Sequence, residues 1–207
     1  LGTGIAVNTF GYADDEWVNA VSMQLAKLQH TSNLYYSEPC AKLAEMLCNK
    51  TGMKKVFFSN SGAEANECAI KTARKYGEIN KGADYTTIIT LKDSFHGRTI
   101  TTISATGQEK YQKPFKPLTE KFVYVERNNI EELRNAVNEK TAAIMIEVVQ
   151  GESGVNPLTK EFVSEIRKIC DEKDIVMVVD EVQTGIGRLG TLFGYETYNI
   201  EPDIFTL

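Results

Sequence analysis

The feature that most constrains the fold of this chain is a series of short apolar runs separated by helical patterns. The strongest run is IVMVVD at 175–180, and TTIITL at 86–91 and AAIMIE at 142–147 are further examples. Strands that are apolar at nearly every position are buried on both faces, and their alternation with helices is typical of a parallel sheet. The sequence therefore predicts an α/β fold with a mostly parallel central sheet and helices on both faces.

Weaker patterns complete the predicted order of elements. Three more strands are expected, at 55–59, 121–125 and 203–207. Helices are expected at 14–29 with Asp14 as cap, from Ser37 to Gly52, at 63–76 with Gly77 as stop signal, at 130–138, and from the cap Thr159 to about Lys173. The stretch 104–121 is predicted to be a long connection.

Composition limits the class of protein. The chain has 207 residues, of which 42% are hydrophobic and 25% charged, close to the average of globular proteins. Its net charge of -5 argues against a nucleic-acid footprint, and no apolar run approaches the roughly 20 residues that span a bilayer. We predict an N-terminal portion, residues 1–50, that leads into a large domain at 51–207.

The ends and the cysteines add two expectations. The start at Leu1 carries no initiator methionine or signal peptide, and residues 203–207 indicate a strand without a successor, so we interpret the chain as a fragment. The cysteines are Cys40, Cys48, Cys68 and Cys170. They form no CxxC pair and only two histidines are present, so no metal site is predicted. Free thiols and no export signal favour a cytoplasmic location.

Ligands of open parallel sheets bind at the carboxyl ends of the strands, so the residues after each strand are candidates. After the first predicted strand, Ser61, Gly62 and Ala63 open directly into a helix. The free N–H groups and positive end of a helix suit a phosphate, although an ordinary helix cap would have the same sequence.

Polar and aromatic residues also lie at the ends of the strands predicted at 86–91 and 142–147. Phe95 could stack on a planar ring and Arg98 could receive an anionic group, or Phe95 could simply fill the core. His96 has no acid or nucleophile beside it in sequence, which favours a structural role. Glu147 and Glu152 lie around the same predicted rim.

Asp180 is the strongest functional candidate on physical grounds. It ends an apolar strand, where a carboxylate is costly unless it meets a cation or serves as a cap or an ion-pair partner. A phosphate cradle, a ring-stacking aromatic residue and a buried acid at three strand ends fit a phosphorylated aromatic cation. Pyridoxal 5'-phosphate is such a molecule, because its chemistry needs a protonated ring nitrogen.

Two other motifs point to different chemistry. GIGRLG at 185–190 matches GxGxxG and suggests a nicotinamide-dependent oxidoreductase, but the segment after it is a poor helix and no acid-terminated strand follows. The run IVMVVDE resembles a Walker B strand, but Gly-Lys occurs nowhere in the chain. A P-loop nucleoside triphosphatase is therefore not expected.

Four motifs resemble one family. NSGAEANE (60–67), SFHGRT (94–99), IEVVQGESG (146–154) and VVDEVQTGIGRLG (178–190) together are similar to the class-III pyridoxal-phosphate aminotransferases of fold type I. GIAVNTFGY (4–12) and HTSNLYYSEP (30–39) look most like members that act on N-acetylornithine. Members that act on ornithine, succinylornithine or 4-aminobutyrate are neighbouring alternatives, and a non-catalytic relative is the alternative to an enzyme.

The resemblance implies a role for each matching residue. The cofactor phosphate would lie at Ser61, Gly62 and Ala63, the ring on Phe95, and the ring nitrogen beside Asp180. Val182 and Gln183 would also bind the cofactor, and Gln183 would lie beside its 3-hydroxyl. Glu147 would support the cofactor without touching it. Arg98 and Glu152 would bind substrate.

The implied reaction is transamination of N2-acetyl-L-ornithine with 2-oxoglutarate, in arginine biosynthesis, by a cytoplasmic homodimer. The resemblance places the catalytic lysine and the C-terminal domain after Leu207, so we expect the fragment by itself to be inactive.

Overall fold

The computed structural model describes residues 7–207. Residues 1–6, which begin the predicted N-terminal portion and the GIAVNTFGY motif, lie outside the described residues. The chain divides into two compact units, Leu1–Phe58 and Ser59–Leu207. Our expected division after residue 50 stays a prediction. None of the described helices is both long and apolar enough to cross a membrane.

The first unit contains two helices, α1 (Asp15–Lys27) and α2 (Glu38–Thr51). The side chain of Asp14 accepts the Trp17 N–H, which confirms the predicted cap of α1. Helix α2 ends at Gly52, whose φ of 74° is the left-handed conformation that glycine adopts at helix ends. Neither helix has a buried residue.

The second unit is built on a five-stranded parallel sheet. Its strands are β1 (Thr87–Leu91), β2 (Phe122–Val125), β3 (Thr141–Ile146), β6 (Val176–Asp180) and β7 (Ile204–Thr206), in the order β2-β1-β3-β6-β7. A short antiparallel pair, β4 (Val149–Gln150) and β5 (Asn156–Pro157), lies apart from it. The predicted fold class is confirmed.

Five helices belong to this unit. They are α3 (Gly62–Lys81), α4 (Ile100–Ala105), α5 (Glu109–Gln112), α6 (Ile130–Ala136) and α7 (Lys160–Lys173). The predicted cap of α7 is confirmed, because the Thr159 side chain accepts the Phe162 N–H. The predicted connection at 104–121 contains α5 and a 3-10 turn, Lys113–Phe115.

Both faces of the sheet are buried, as unbroken apolar strands require. On one face, residues of α3 pack on the strands: Ala69, Ile70 and Ala73 against Ile88, Ala143, Met145, Val176 and Val178. The residues that alternate with these are also buried, namely Ile89, Ile144, Ile146, Met177 and Val179. Helix α7 packs against β3 and β6.

The strand order decides where a ligand can bind. From β1 the chain moves outward to β2 and then returns to β3 on the other side of β1. Connections therefore leave the carboxyl ends of β1 and β3 in opposite directions, which opens a crevice there. Phe95 and Glu147 follow β1 and β3, and Asp180 is the last residue of β6, so all three belong to this edge.

The strand predicted at 55–59 is wrong. Residues 55–59 form no strand, and the Phe57 side chain is exposed. A strand needs a neighbour that takes its backbone hydrogen bonds. In the part of the chain that the structure describes, no strand pairs with this segment.

The stop signal predicted at Gly77 is also wrong, because α3 continues to Lys81 and its C-cap is Gly82. Gly77 is instead a packing residue. A Cβ at this position would lie 2.4 Å from the Tyr85 carbonyl oxygen and 3.2 Å from Ala142 Cβ. The glycine therefore allows α3 to approach the backbone that leads into β1.

We predict that Gly77→Ala destabilises the protein by about 2 kcal/mol, since overpacking against backbone costs about 1–3 kcal/mol. Helix propensity alone would make this substitution stabilising by about 1 kcal/mol. The sign of the change in free energy of unfolding therefore shows whether the close contact outweighs propensity. Urea denaturation provides the free energy of unfolding. Thr72→Ala, at an exposed position of the same helix, is the control and should be neutral or stabilising by up to about 0.7 kcal/mol. A stabilised Gly77→Ala variant would contradict the close contact.

Candidate active site

The start of α3 is arranged as an anion cradle. Ser61 is the N-cap, its hydroxyl accepts the Glu64 N–H at 3.2 Å, and its carbonyl accepts the Ala65 N–H at 2.9 Å. The N–H groups of Gly62 and Ala63 belong to the first turn, where a helix offers no acceptor of its own. The Glu64 carboxylate accepts the N–H of Asn60, the residue before the N-cap, at 2.8 Å.

Close packing fixes the position of this cradle next to two other loops. A Cβ at Gly62 would lie 2.7 Å from Val182 Cγ2, so the Val182 side chain rests directly on the Gly62 backbone. A Cβ at Gly97 would lie 2.8 Å from Ala63 Cβ, and the φ of 129° at Gly97 is one that only glycine adopts easily. The loops after β1 and β6 are therefore both seated against the first turn of α3.

Asp180, at the carboxyl end of β6, is almost fully buried and is surrounded by donors. Its Oδ2 lies 2.7 Å from Asn66 Nδ2 and 2.8 Å from His96 Nδ1. Its Oδ1 accepts the Val182 N–H at 3.0 Å and lies 3.4 Å from Thr206 Oγ1. Donors aimed at both oxygens offset the cost of burying the carboxylate.

His96 has an acid partner, which its neighbours in sequence did not indicate. The partner, Asp180, lies 84 residues further along the chain. Burial alone would lower the pKa of His96, but the hydrogen bond and charge of Asp180, together with the charge of Glu147, raise it above its ordinary value. The structural role favoured for His96 stays a prediction, and the structure adds that the ring contacts the buried acid Asp180.

Glu147 follows β3 and lies beneath Phe95. Its Oε2 accepts the Phe95 N–H at 2.9 Å, which fixes the backbone of the residue predicted to stack on a ring. Burial is the main reason that the pKa of Glu147 rises to about 7, and the charge of Asp180 adds to this while the charge of His96 opposes it. Glu147 thus contacts the loop that carries Phe95.

Phe95, Arg98 and Tyr111 form an aromatic and cationic group at the rim. The rings of Phe95 and Tyr111 meet edge to face with centroids 5.7 Å apart. The Arg98 guanidinium lies 4.2 Å from the Tyr111 centroid and 5.7 Å from that of Phe95. A cation held over two aromatic faces keeps its donors available for an anionic group.

Glu152 is held beside this group. Its carboxylate accepts a hydrogen bond from the Tyr111 hydroxyl and a second, of 2.6 Å, from Gln108 Nε2. Lys110 Nζ lies 3.5 Å away. The Tyr111 hydroxyl is the main cause that lowers the pKa of Glu152. Arg98 and Glu152, the two predicted substrate residues, are therefore joined through one tyrosine.

Gln183 completes the set of predicted residues. It is exposed and lies against the turn between β4 and β5, since a Cβ at Gly151 would fall 2.2 Å from Gln183 Oε1. The GIGRLG segment nearby forms turns and starts no helix, so it lacks the helix N-terminus that a dinucleotide fold uses for its pyrophosphate.

The predicted site residues thus lie in one contiguous region of the second unit. Four contact residues were not singled out by the sequence: Asn66, Gln108, Tyr111 and Thr206. A buried asparagine on the apolar face of a helix, such as Asn66 in NSGAEANE, is the one signal that could have been noticed, because buried polar side chains need partners.

Comparisons with known proteins agree with this geometry. The profile of the family described as aminotransferase class-III matches residues 1–207. The acetylornithine aminotransferase of Caldanaerobacter subterraneus subsp. tengcongensis is 53% identical over 204 residues, which are 99% of this chain and 52% of that protein. The chain therefore spans about half the length of the curated relatives that it matches.

Solved structures show the same likeness. The N-acetylornithine aminotransferase of Stenotrophomonas maltophilia K279a superposes with a TM-score of 0.83 at 38% identity, over 99% of this chain and 52% of that one. An ornithine aminotransferase of Toxoplasma gondii, described as having partial occupancy of PLP at its active site, superposes with a TM-score of 0.93 at 27% identity, over 99% and 49%.

We predict that Glu147→Gln flattens the dependence of stability on pH. A carboxyl group whose pKa is raised on folding, from 4.5 to about 7, stabilises the native state below the lower value, and this stability is lost as pH rises towards 7. The amide can still accept the Phe95 N–H but does not titrate. The difference in free energy of unfolding between about pH 5 and pH 8 should shrink by about 1–3 kcal/mol.

Chemical denaturation at the two pH values measures this difference. The exposed Glu161→Gln variant is the control and should keep the wild-type difference. The raised pKa of His96 has the same sign, and the charge of Glu147 is one of its causes, so Glu147→Gln reduces the pH dependence through His96 as well. An unchanged pH dependence in Glu147→Gln would contradict the assignment.

Proposed function

The chain belongs to the class-III aminotransferase family, and from this premise we propose that the protein that contains it transfers the amino group of N2-acetyl-L-ornithine to 2-oxoglutarate. The products are N-acetylglutamate 5-semialdehyde and glutamate. The observation that carries the proposal is the buried Asp180 carboxylate at the sheet edge, beside the α3 cradle. The names of the relatives at about half identity support the choice of amino donor.

The residues present fit pyridoxal 5'-phosphate. The cradle at Ser61, Gly62 and Ala63 offers N–H groups to a phosphate, and a side chain at Gly62 would fill the space that Val182 occupies. Donors surround the Asp180 carboxylate and favour its charged form. A buried carboxylate is stabilised further by a positive charge, which a protonated ring nitrogen would supply. Phe95, half-buried at the rim, offers a ring face to a planar ligand.

In the proposed mechanism the cofactor, when bound, supplies an electron sink for the carbon that carries the amino group. Asp180 would hold a proton on the ring nitrogen, because a carboxylate favours the cationic form of a neighbouring base. Glu147 accepts the Phe95 N–H and so would hold the backbone of the stacking residue, and Gln183 would donate to the 3-hydroxyl, as the resemblance implies. The proposed mechanism also requires the catalytic lysine that the family resemblance places after residue 207.

Arg98 and Glu152 are the proposed substrate residues. Arg98 is exposed at the rim and supported by the Tyr111 ring, which leaves its N–H groups free to pair with a carboxylate. Glu152 keeps its negative charge through the Tyr111 and Gln108 hydrogen bonds. We further propose a cytoplasmic homodimer in arginine biosynthesis, in line with the resemblance.

The proposal is tested by a substrate comparison in the protein that contains this chain. With pyridoxal phosphate and 2-oxoglutarate present, glutamate formation is measured for N-acetylornithine, ornithine, succinylornithine and 4-aminobutyrate. The highest kcat/KM is expected for N-acetylornithine. A higher value for another donor would overturn the substrate, and cofactor binding without any turnover would identify a non-catalytic relative.

We predict that Asp180→Ala lowers kcat at least about 100-fold, which is typical when a preorganised electrostatic partner is removed. The cofactor phosphate should still be held in part, because the α3 cradle is unchanged. Initial-rate kinetics and cofactor titration provide the two readings. Asp171→Ala removes an exposed acid from an ion pair with Arg167 and is the control. Turnover near that of the wild type in Asp180→Ala would refute the role of this acid.

A further inference from the structure

The Asn66 side chain uses every hydrogen that its amide can donate. Asn66 is 1% exposed, and its Nδ2 donates to the His96 carbonyl oxygen at 2.9 Å and to Asp180 Oδ2 at 2.7 Å. Its Oδ1 accepts from Thr206 Oγ1 at 2.7 Å. These three partners distinguish the two ends of the amide, so only one orientation of the side chain satisfies them.

The Thr206 hydroxyl fixes that orientation. A hydroxyl group donates one hydrogen, and Thr206 Oγ1 has two acceptors in reach, Asn66 Oδ1 at 2.7 Å and Asp180 Oδ1 at 3.4 Å. The shorter contact takes the hydrogen, because hydrogen bonds weaken beyond about 3.2 Å. Asp180 Oδ2 then has two short donors while Oδ1 has one, the Val182 N–H, so Oδ1 keeps more capacity for a further donor.

An amide at position 66 can orient the Asp180 carboxylate without adding charge. The titratable groups that face Asp180 are His96, Glu147 and Glu181. Asn66 is neutral at every pH, so the orientation that it imposes on Asp180 does not depend on their protonation. Asn66 also lies one helical turn after Gly62 and Ala63, so one rigid segment of α3 carries both the cradle and the contact with the acid.

We propose that Asn66 and Thr206 are positioning residues that hold the Asp180 carboxylate in the one orientation in which it pairs with the cofactor's ring nitrogen. The inference rests on the proposed function, because that function assigns the ring nitrogen to Asp180. Thr206 acts through Asn66, and Asn66 acts on Asp180 and on the loop that carries His96.

Thr206→Val tests the hydroxyl at almost constant shape. In the protein that contains this chain, we expect Thr206→Val to weaken the Kd for pyridoxal phosphate about tenfold, the usual effect of losing a hydrogen bond in a charged network. The pH at which the bound cofactor's ring nitrogen loses its proton, followed by absorption, should fall by about one unit. Thr206→Ser keeps the hydroxyl and should restore both values.

Thr90→Val is the matched control. Thr90 is fully buried on β1, and within the described residues its hydroxyl has no hydrogen-bond partner. Its substitution should leave the Kd and the pH midpoint unchanged. The pair of threonine variants therefore separates loss of this hydroxyl from the general effect of placing valine in the sheet.

Asn66→Ala provides a second route. It should weaken cofactor binding at least as much as Thr206→Val, and adding Thr206→Val to it should cost no more than about twofold further, because the two residues act through one contact. Unfolding curves of the cofactor-free proteins show whether each variant folds. If Asn66→Ala does not fold, the comparison of Thr206→Val with Thr206→Ser decides whether the positioning role holds.

The outcomes separate this inference from the proposed function. A wild-type protein that binds no pyridoxal phosphate would refute the proposed function. A wild-type protein that binds it, together with Thr206→Val and Asn66→Ala variants that keep its Kd and pH midpoint, would overturn only the positioning role. Weakening by Thr206→Val with rescue by Thr206→Ser supports it.

Discussion

The structure depends on the burial of one carboxylate. A charge that is 4% exposed at the end of an apolar strand is stable only if its surroundings supply donors, and Asp180 receives them from three separate segments. The loop after β1 provides His96, helix α3 provides Asn66, and its own loop provides the Val182 N–H. Because Asn66 and His96 are both far from Asp180 in sequence, their hydrogen bonds form only when the sheet and α3 have assembled. The same acid is the group that the proposed reaction needs.

Helix α3 connects the two ends of the proposed cofactor site. Its first turn forms the cradle, its next turn reaches Asp180 through Asn66, and its apolar face packs on the sheet. Small residues make this approach possible, since Gly62 and Gly77 both lie where a Cβ would collide with a neighbour. A rigid helix therefore fixes the distance between the phosphate end and the nitrogen end, which is the kind of preorganisation that catalysis uses.

The sequence predicted the parts of this arrangement that depend on local pattern. Apolar runs predicted the parallel strands, and Asp14 and Thr159 cap their helices as expected. Features that depend on contact with another segment of the chain were not predictable. Residues 55–59 have a strand-like composition but no described strand beside them. Gly77 allows α3 to approach the Tyr85 backbone closely, which the sequence cannot show. The contacts of His96, Asn66 and Thr206 with Asp180 span 26 to 114 residues, so no local spacing indicates them.

The most direct test of this account is the protonation of the cofactor's ring nitrogen, read from the nitrogen chemical shift of 15N-labelled pyridoxal phosphate bound to the protein. The account predicts a protonated nitrogen at about pH 8, well above the range in which an unpaired pyridine of this kind keeps its proton, and loss of that proton in Asp180→Asn, which has nearly the same shape but no charge. A nitrogen without a proton in the wild type, or a protonated one in Asp180→Asn, would contradict the central claim.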